Sequence, residues 1–359
     1  MILHKTIFQE MSKSLLVIVF SMSIILFMEK FVRLTRIFMG KGADFSDIAK
    51  IFVYLQPSIL LLSLPMAILV AIFLTYGRMS TDSEIIVLKA GGMSFWGISR
   101  AAVMLALLCF AVLAVISLYL LPRSMYAFKH TMYETIVKKA STTFEAETFS
   151  DVFKDTVIYV KEIPSPDIFK GIFVYKEGIK SIEEPVVIVA ESGVIRANPA
   201  EGLIKLSMNN GLIHTYDEKS SSEISFSQYD FVLKSGIETM DKIKPDEIKT
   251  IDLWRANKEN TYWAIELHRR LALPFACLIF GLLGPALSNK IGKIGRLGGF
   301  SLSLVILILY YVLMIFGEGL AKSGEITPFW GGWSPNLIFG GLTMVFVYIA
   351  YKDKPIRKL

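Results

Sequence analysis

The side chains best placed to do chemistry in this chain are charged residues at the edges of apolar runs. Their spacing suits docking and anion binding. In TYGRMSTDSEIIVLKAGG, residues 75–92, Thr81 and Glu84 stand three apart, the spacing of a capping box. Asp82 and Glu84 then fall in a first helical turn, where the dipole favours anions, and Lys89 in a last turn, where it favours cations. Gly91-Gly92 offers the left-handed stop. A helix over about 80–91 is predicted, too short to be stable alone and therefore docked on something. Glu29, Lys30, Arg33 and Arg36 close the first apolar run. Lys30 and Arg33, three apart, share a helix face. They suit either phosphate binding on a lipid head group or snorkelling to the interface, with Glu29 as an alternative partner. Glu266 reaches Arg269 and Arg270 at three and four residues, which reads as an intrahelical pair at a membrane boundary. Glu318, late in the fifth run, fits a helix interface or a substrate contact.

Bond-making motifs are not found. The sequence contains no GxxxxGK[ST] loop, GxSxG elbow or HExxH pair. His4, His130, His214 and His268 are scattered, and Cys109 and Cys277 both fall inside apolar runs, where a thiol acts as a small apolar filler.

The elements that carry these residues belong to a membrane protein. Of 359 residues, 53% are hydrophobic and 19% charged, too apolar for a soluble chain of that length. Six runs are long enough to cross a hydrocarbon core: about 15–38, 51–76, 98–121, 271–287, 297–316 and 337–351. Three precede a polar middle and three follow it. Loops on the N-terminal side hold Arg78, Lys89, Arg100, Lys290, Lys293 and Arg296, and the opposite short loops hold Lys41, Lys50 and Lys322. That asymmetry places both termini in the cytoplasm, and it accounts for the net charge of +6 without nucleic acid. The middle reads as short β-branched and aromatic strands with glycine and asparagine turns, fitting a sandwich, jellyroll or open barrel. Asn210-Gly211 reads as a hairpin turn between 203–208 and 212–216. Phe153, Tyr159, Phe173, Val187, Val189 and Leu206 are candidates to line an apolar interior, with inward and outward faces left open.

Several stretches carry a family likeness: ILHKTIFQE at the N-terminus, Glu29-Lys30 and Val32-Arg33, LPMAILVAIFLTYGRMSTDSEIIVLKAGG, and IELHRRLALPF. Over essentially its whole length the chain resembles the LptF/LptG permease family, the transmembrane subunits of the lipopolysaccharide exporter, and more closely the LptF branch. The resemblance implies a mixed membrane α + β fold: transmembrane helices 1–3 with the coupling helix in 1–140, a periplasmic β-jellyroll-like domain in 141–249, and helices 4–6 in 250–359. It further implies that Lys30, Arg33 and Lys322 contact the phosphorylated sugar of lipopolysaccharide; Arg36 has no such counterpart. The stretch with Asp82 and Glu84 matches the position that docks into an ATPase groove. The implied partners are an LptG-like sister permease, an LptB-like cytoplasmic ATPase dimer, an LptC-like single-span protein and an LptA-like periplasmic bridge. No cofactor is expected on the chain itself, ATP and Mg being held by the ATPase. Two other classes stay open on the residues alone: a lipid-modifying membrane enzyme, with Glu29, Glu266 and Glu318 as its charged candidates, and a secondary transporter, against which stands the scarcity of mid-span acids.

Overall fold

Long apolar runs satisfy their backbone internally as helices, and the computed structural model follows that rule. It describes residues 2–38, 45–138, 144–153, 156–165, 167–177, 185–198, 203–217, 220–233, 244–256, 260–288 and 295–352. Helices α1 (Ile2–Phe38) and α2 (Phe45–Thr81) are followed by the short α3 (Glu84–Ala90). Then α4 (Phe95–Val115) continues through a π-turn (Ile116–Leu120) into α5 (Leu121–Lys138). After six strands come α6 (Thr250–Ala256), α7 (Thr261–Ser288), α8 (Gly295–Ser323) and α9 (Pro328–Lys352). Six helical segments among the described residues are long and apolar enough to cross a membrane: Leu3–Val32, Ala49–Thr81, Phe95–Met132, Thr261–Ser288, Leu297–Ser323 and Pro328–Lys352. Each outruns the span read from hydropathy, because helical hydrogen bonding continues past the first charged residues into the polar ends.

The chain forms two compact units, one of residues 1–29, 55–126 and 244–359, the other of 30–54 and 127–243. In the first, α7 is the hub. Phe280 on it packs edge-on to Tyr310 of α8 at 5.1 Å and to Phe339 of α9 at 6.5 Å. Asn336 of α9 links both neighbours, accepting from the Tyr310 hydroxyl at 2.8 Å and donating to the Ala272 carbonyl at 2.7 Å. Glycines let backbones meet elsewhere. A Cβ on Gly299 of α8 would stand 2.6 Å from the Phe73 carbonyl oxygen of α2, and one on Gly77 would stand 2.8 Å from that of Gly295.

In the second unit, β1 (Phe149–Phe153), β2 (Thr156–Ser165), β3 (Ile168–Lys176), β4 (Val186–Asn198), β5 (Leu203–Asp217) and β6 (Ser220–Leu233) form one antiparallel sheet. The strands pair in chain order, the connectivity of a meander. Alternation sets the faces: Ile158, Val160, Ile172, Val174, Ile188, Leu206 and Met208 point into a buried core. Of the interior candidates only Leu206 is in it. Tyr159, Phe173 and Val189 form one cross-strand row on the opposite face, and Val187 shares that face two residues before Val189. The side chain of Phe153 lies outside the described residues.

The Asn210-Gly211 hairpin is not formed; β5 runs straight through it. Asn209 pairs with Ser192 and Gln228 and Gly211 with Ala190 and Phe226, so the register is unbroken on both sides although Asn210 takes the left-handed conformation at φ 51°. A Cβ on Gly211 would lie 2.3 Å from the Val189 carbonyl oxygen, so glycine serves close strand approach here. On β5 and β6, Lys205 holds Asp230 at 2.6 Å, and that bond, with one from Ser207, keeps the carboxyl below the ordinary aspartate range.

Candidate functional site

The stretch at 75–92 folds as predicted in its helix, and differently in its cap. Helix α2 persists through Thr81, whose hydroxyl donates back to the Gly77 carbonyl at 3.1 Å and caps nothing. Ser83 takes the left-handed conformation at φ 59° and redirects the chain, so α3 starts at Glu84 without a side-chain cap. Its end matches expectation. Lys89 is in the last turn, and Gly92, at φ 84°, supplies the left-handed stop.

Glu84 is not a capping-box partner because Arg78 takes its carboxylate. The guanidinium donates from Nε and Nη2 to both oxygens of Glu10 on α1, at 2.8 and 2.9 Å. Its Nη1 donates to Asp82 at 3.1 Å and to Glu84 at 2.5 Å. One cation thus gathers three carboxylates from α1, the end of α2 and the start of α3. The fork on Glu10 is the strong bidentate geometry, and the excess of two negative charges stays at a half-exposed surface. Beyond it α3 buries Ile85 and turns Ile86 and Val87 outward at 60% and 67% exposure. This two-turn helix thus displays two aliphatic side chains beside the carboxylates of Asp82 and Glu84. Arg78 and Glu10 escaped the sequence reading. Arg78 is only four and six residues from its local partners, but Glu10 is 68 residues away and no local pattern joins them.

The basic residues expected at the opposite ends of the spans are placed less closely. Lys30 is half-buried on α1; the side chains of Arg33 and Arg36 lie outside the described residues, although both positions are helical. Lys30 and Lys322 belong to different units. Lys322, half-exposed near the end of α8, stands 3.9 Å from Glu318, a loose pair that leaves its ammonium available to an anion. Glu318 is mostly buried, and its Oε1 has no hydrogen-bond partner. The predicted pairs on α7 are present: Glu266 holds Arg269 at 2.6 Å and Arg270 at 2.9 Å.

Comparison with known proteins agrees along the whole chain. The family model for "Lipopolysaccharide export system permease LptF/LptG" matches residues 5–349. The lipopolysaccharide export system permease protein LptF of Escherichia coli (strain K12) is 23% identical over 365 residues, covering 100% of this chain and 97% of that protein. Its Shigella flexneri counterpart shows the same values. The uncharacterized protein RP871 of Rickettsia prowazekii (strain Madrid E) is 24% identical over 270 residues, 74% of this chain and 71% of that protein. Identities near 23% support the family more than either of its branches. With six membrane-length helices, an all-β insertion and a match from residue 5 to residue 349, the chain belongs to the LptF/LptG family of lipopolysaccharide export system permeases.

Proposed function

We propose that the chain is one transmembrane permease subunit of an ABC exporter that extracts lipopolysaccharide from the bacterial inner membrane and delivers it to a periplasmic bridge toward the outer membrane. The observation that carries this reading is α3. A short helix between two membrane-length helices is held by Arg78 and presents Ile86, Val87 and surplus carboxylates outward. It is the docking element through which a cytoplasmic ATPase, holding ATP and Mg, moves the helices on either side, with Asp82 and Glu84 as the coupling acids. The basic-residue asymmetry supports cytoplasmic termini and a periplasmic β domain. Residues 1–140 and 250–359 then form the membrane halves and 141–249 the periplasmic domain. An LptG-like sister permease completes the cavity, with an LptB-like ATPase dimer below, an LptC-like single-span protein beside it and an LptA-like bridge beyond. Lys30, Arg33 and Lys322 bind phosphates of the lipid at the outer face, where the loose Glu318 pair leaves Lys322 free to do so.

The test is co-purification of the tagged chain with its ATPase and sister permease, followed by ATP-driven lipopolysaccharide release from vesicles. Glu84→Arg should lose ATPase recovery and release together, while the thermal melting of the chain changes little. Undiminished recovery and release in that variant would sink the coupling role of α3.

A further inference from the structure

Interior prolines occur in four of the six membrane-length helices, and two of them, Pro122 and Pro274, disable backbone acceptors that meet at one joint. Pro122 has no N–H, so the Leu118 carbonyl four residues before it lacks its α-helical donor; Pro274 does the same to the Arg270 carbonyl. Around Pro122 the helix widens into the π-turn Ile116–Leu120. Both carbonyls are nevertheless satisfied, each by a hydroxyl from another element. Thr250 Oγ1 donates to Leu118 at 2.6 Å, and Ser117 Oγ donates to Arg270 at 2.8 Å. The two proline defects are therefore joined crosswise, with residue 250 and the π-turn each supplying what a proline removed.

Arg270 completes the joint. Its side chain is fully buried, and each of its five N–H groups meets one acceptor. Nε donates to Glu266 at 2.9 Å. Nη1 donates to the Ile248 carbonyl at 2.8 Å and to Thr250 Oγ1 at 3.1 Å, and Nη2 to the carbonyls of Pro245 and Asp246, both at 3.0 Å. Charge neutralisation alone needs only Glu266. The other four bonds all go to residues 245–250, the segment that follows the β domain in the chain and opens α6. Thr250 relays the contact, accepting from Arg270 while donating to Leu118. The path is continuous: α3 leads through Gly91 and Gly92 into α4, α4 into the π-turn, and the π-turn through Thr250 and Arg270 into the linker.

We propose that Arg270 is a positioning residue that fastens the 245–250 linker to the third and fourth spans, so that displacement of those spans is handed to the segment leading from the β domain. This rests on the permease reading given above. The hydroxyls of Ser117 and Thr250 are its two other essential parts. A lysine at 270 would carry the charge but, with three donors, would leave linker carbonyls unpaired.

The experiment uses the complete complex with ATPase and sister permease in vesicles, comparing wild type with Ser117→Ala, Thr250→Val and Arg270→Lys. It reads ATP hydrolysis, lipopolysaccharide released per ATP, and amide hydrogen exchange over 245–256. Thr250→Val and Arg270→Lys should speed exchange in that segment and lower release per ATP by about 2- to 30-fold, the range of mutations along a coupling path, with ATP hydrolysis and complex yield unchanged. Faster exchange with undiminished release per ATP overturns the transmission role. Unchanged exchange in both hydroxyl variants overturns the joint itself. If Arg270→Lys does not assemble, the hydroxyl variants decide, since each removes a single oxygen's bonding. A wild-type complex that hydrolyses ATP and releases no lipopolysaccharide would instead refute the permease reading.

Discussion

Arg78 offers one planar fork to three carboxylates, and the partition of its bonds sets what each partner does. Glu10 takes the bidentate share, while Asp82 and Glu84 divide Nη1. Removing Glu10 should therefore leave α3 held by its neighbour, whereas removing Arg78 frees both acids at once. Arg78→Gln is expected to lower ATPase affinity more than Glu10→Gln does. Every member of the cluster is part-exposed, so the gap should be about 1 kcal/mol or less, up to roughly fivefold in affinity. Titration of the purified ATPase against each variant measures it, and equal losses would remove Arg78 from its place as organiser. The Thr81–Glu84 spacing reads as a helix starting at Thr81; a short helix is present, but α3 starts later, at Glu84 behind Ser83. The cap itself was not legible, because the competing partner of Glu84 depends on where α2 ends, and α2 runs on to Thr81.

At the level of elements, glycine contacts decide how closely α2 and α8 approach. Gly77, Gly295 and Gly299 bring backbone against backbone, and no side chain lies between that can shift aside. Gly299→Ala is expected to destabilise the helix bundle by about 1–3 kcal/mol, the usual cost of overpacking. Gly341→Ala, where a Cβ would meet nothing within 4 Å, should be close to neutral. Thermal unfolding in detergent compares the two, and equal melting temperatures would show that the seam has room. The strand-rich character of the middle was readable from its β-branched content, while Asn210-Gly211 was misread as a hairpin turn. The dipeptide suits a tight turn by residue type alone; β4 and β6, which pair with β5 on both sides of it, keep the strand running through, with only Asn210 at positive φ. The contacts of Arg270 were unreadable for a related reason. Four of its five acceptors lie in residues 245–250, three of them backbone carbonyls that no residue type announces.

For the whole molecule, the six membrane-length helices and the inserted sheet were legible because hydropathy and alternation are local signals. Lipid capture and ATPase docking are expected to separate on mutation, since their residues lie on opposite loops in the proposed topology. Replacing Lys30 and Arg33 together with glutamate should weaken photocrosslinking to phosphorylated lipid by about tenfold, two charge-assisted contacts being lost, and leave ATPase recovery intact. Equal crosslinking in mutant and wild type would end the head-group assignment. Ile86 and Val87 carry one more consequence. A chain synthesised without its partners bears two uncovered aliphatic residues outside the spans, the sort of surface that chaperones and proteases recognise. Its abundance in the cell should then follow that of whatever covers α3, making the docking helix a gauge of subunit stoichiometry as well as a handle for motion.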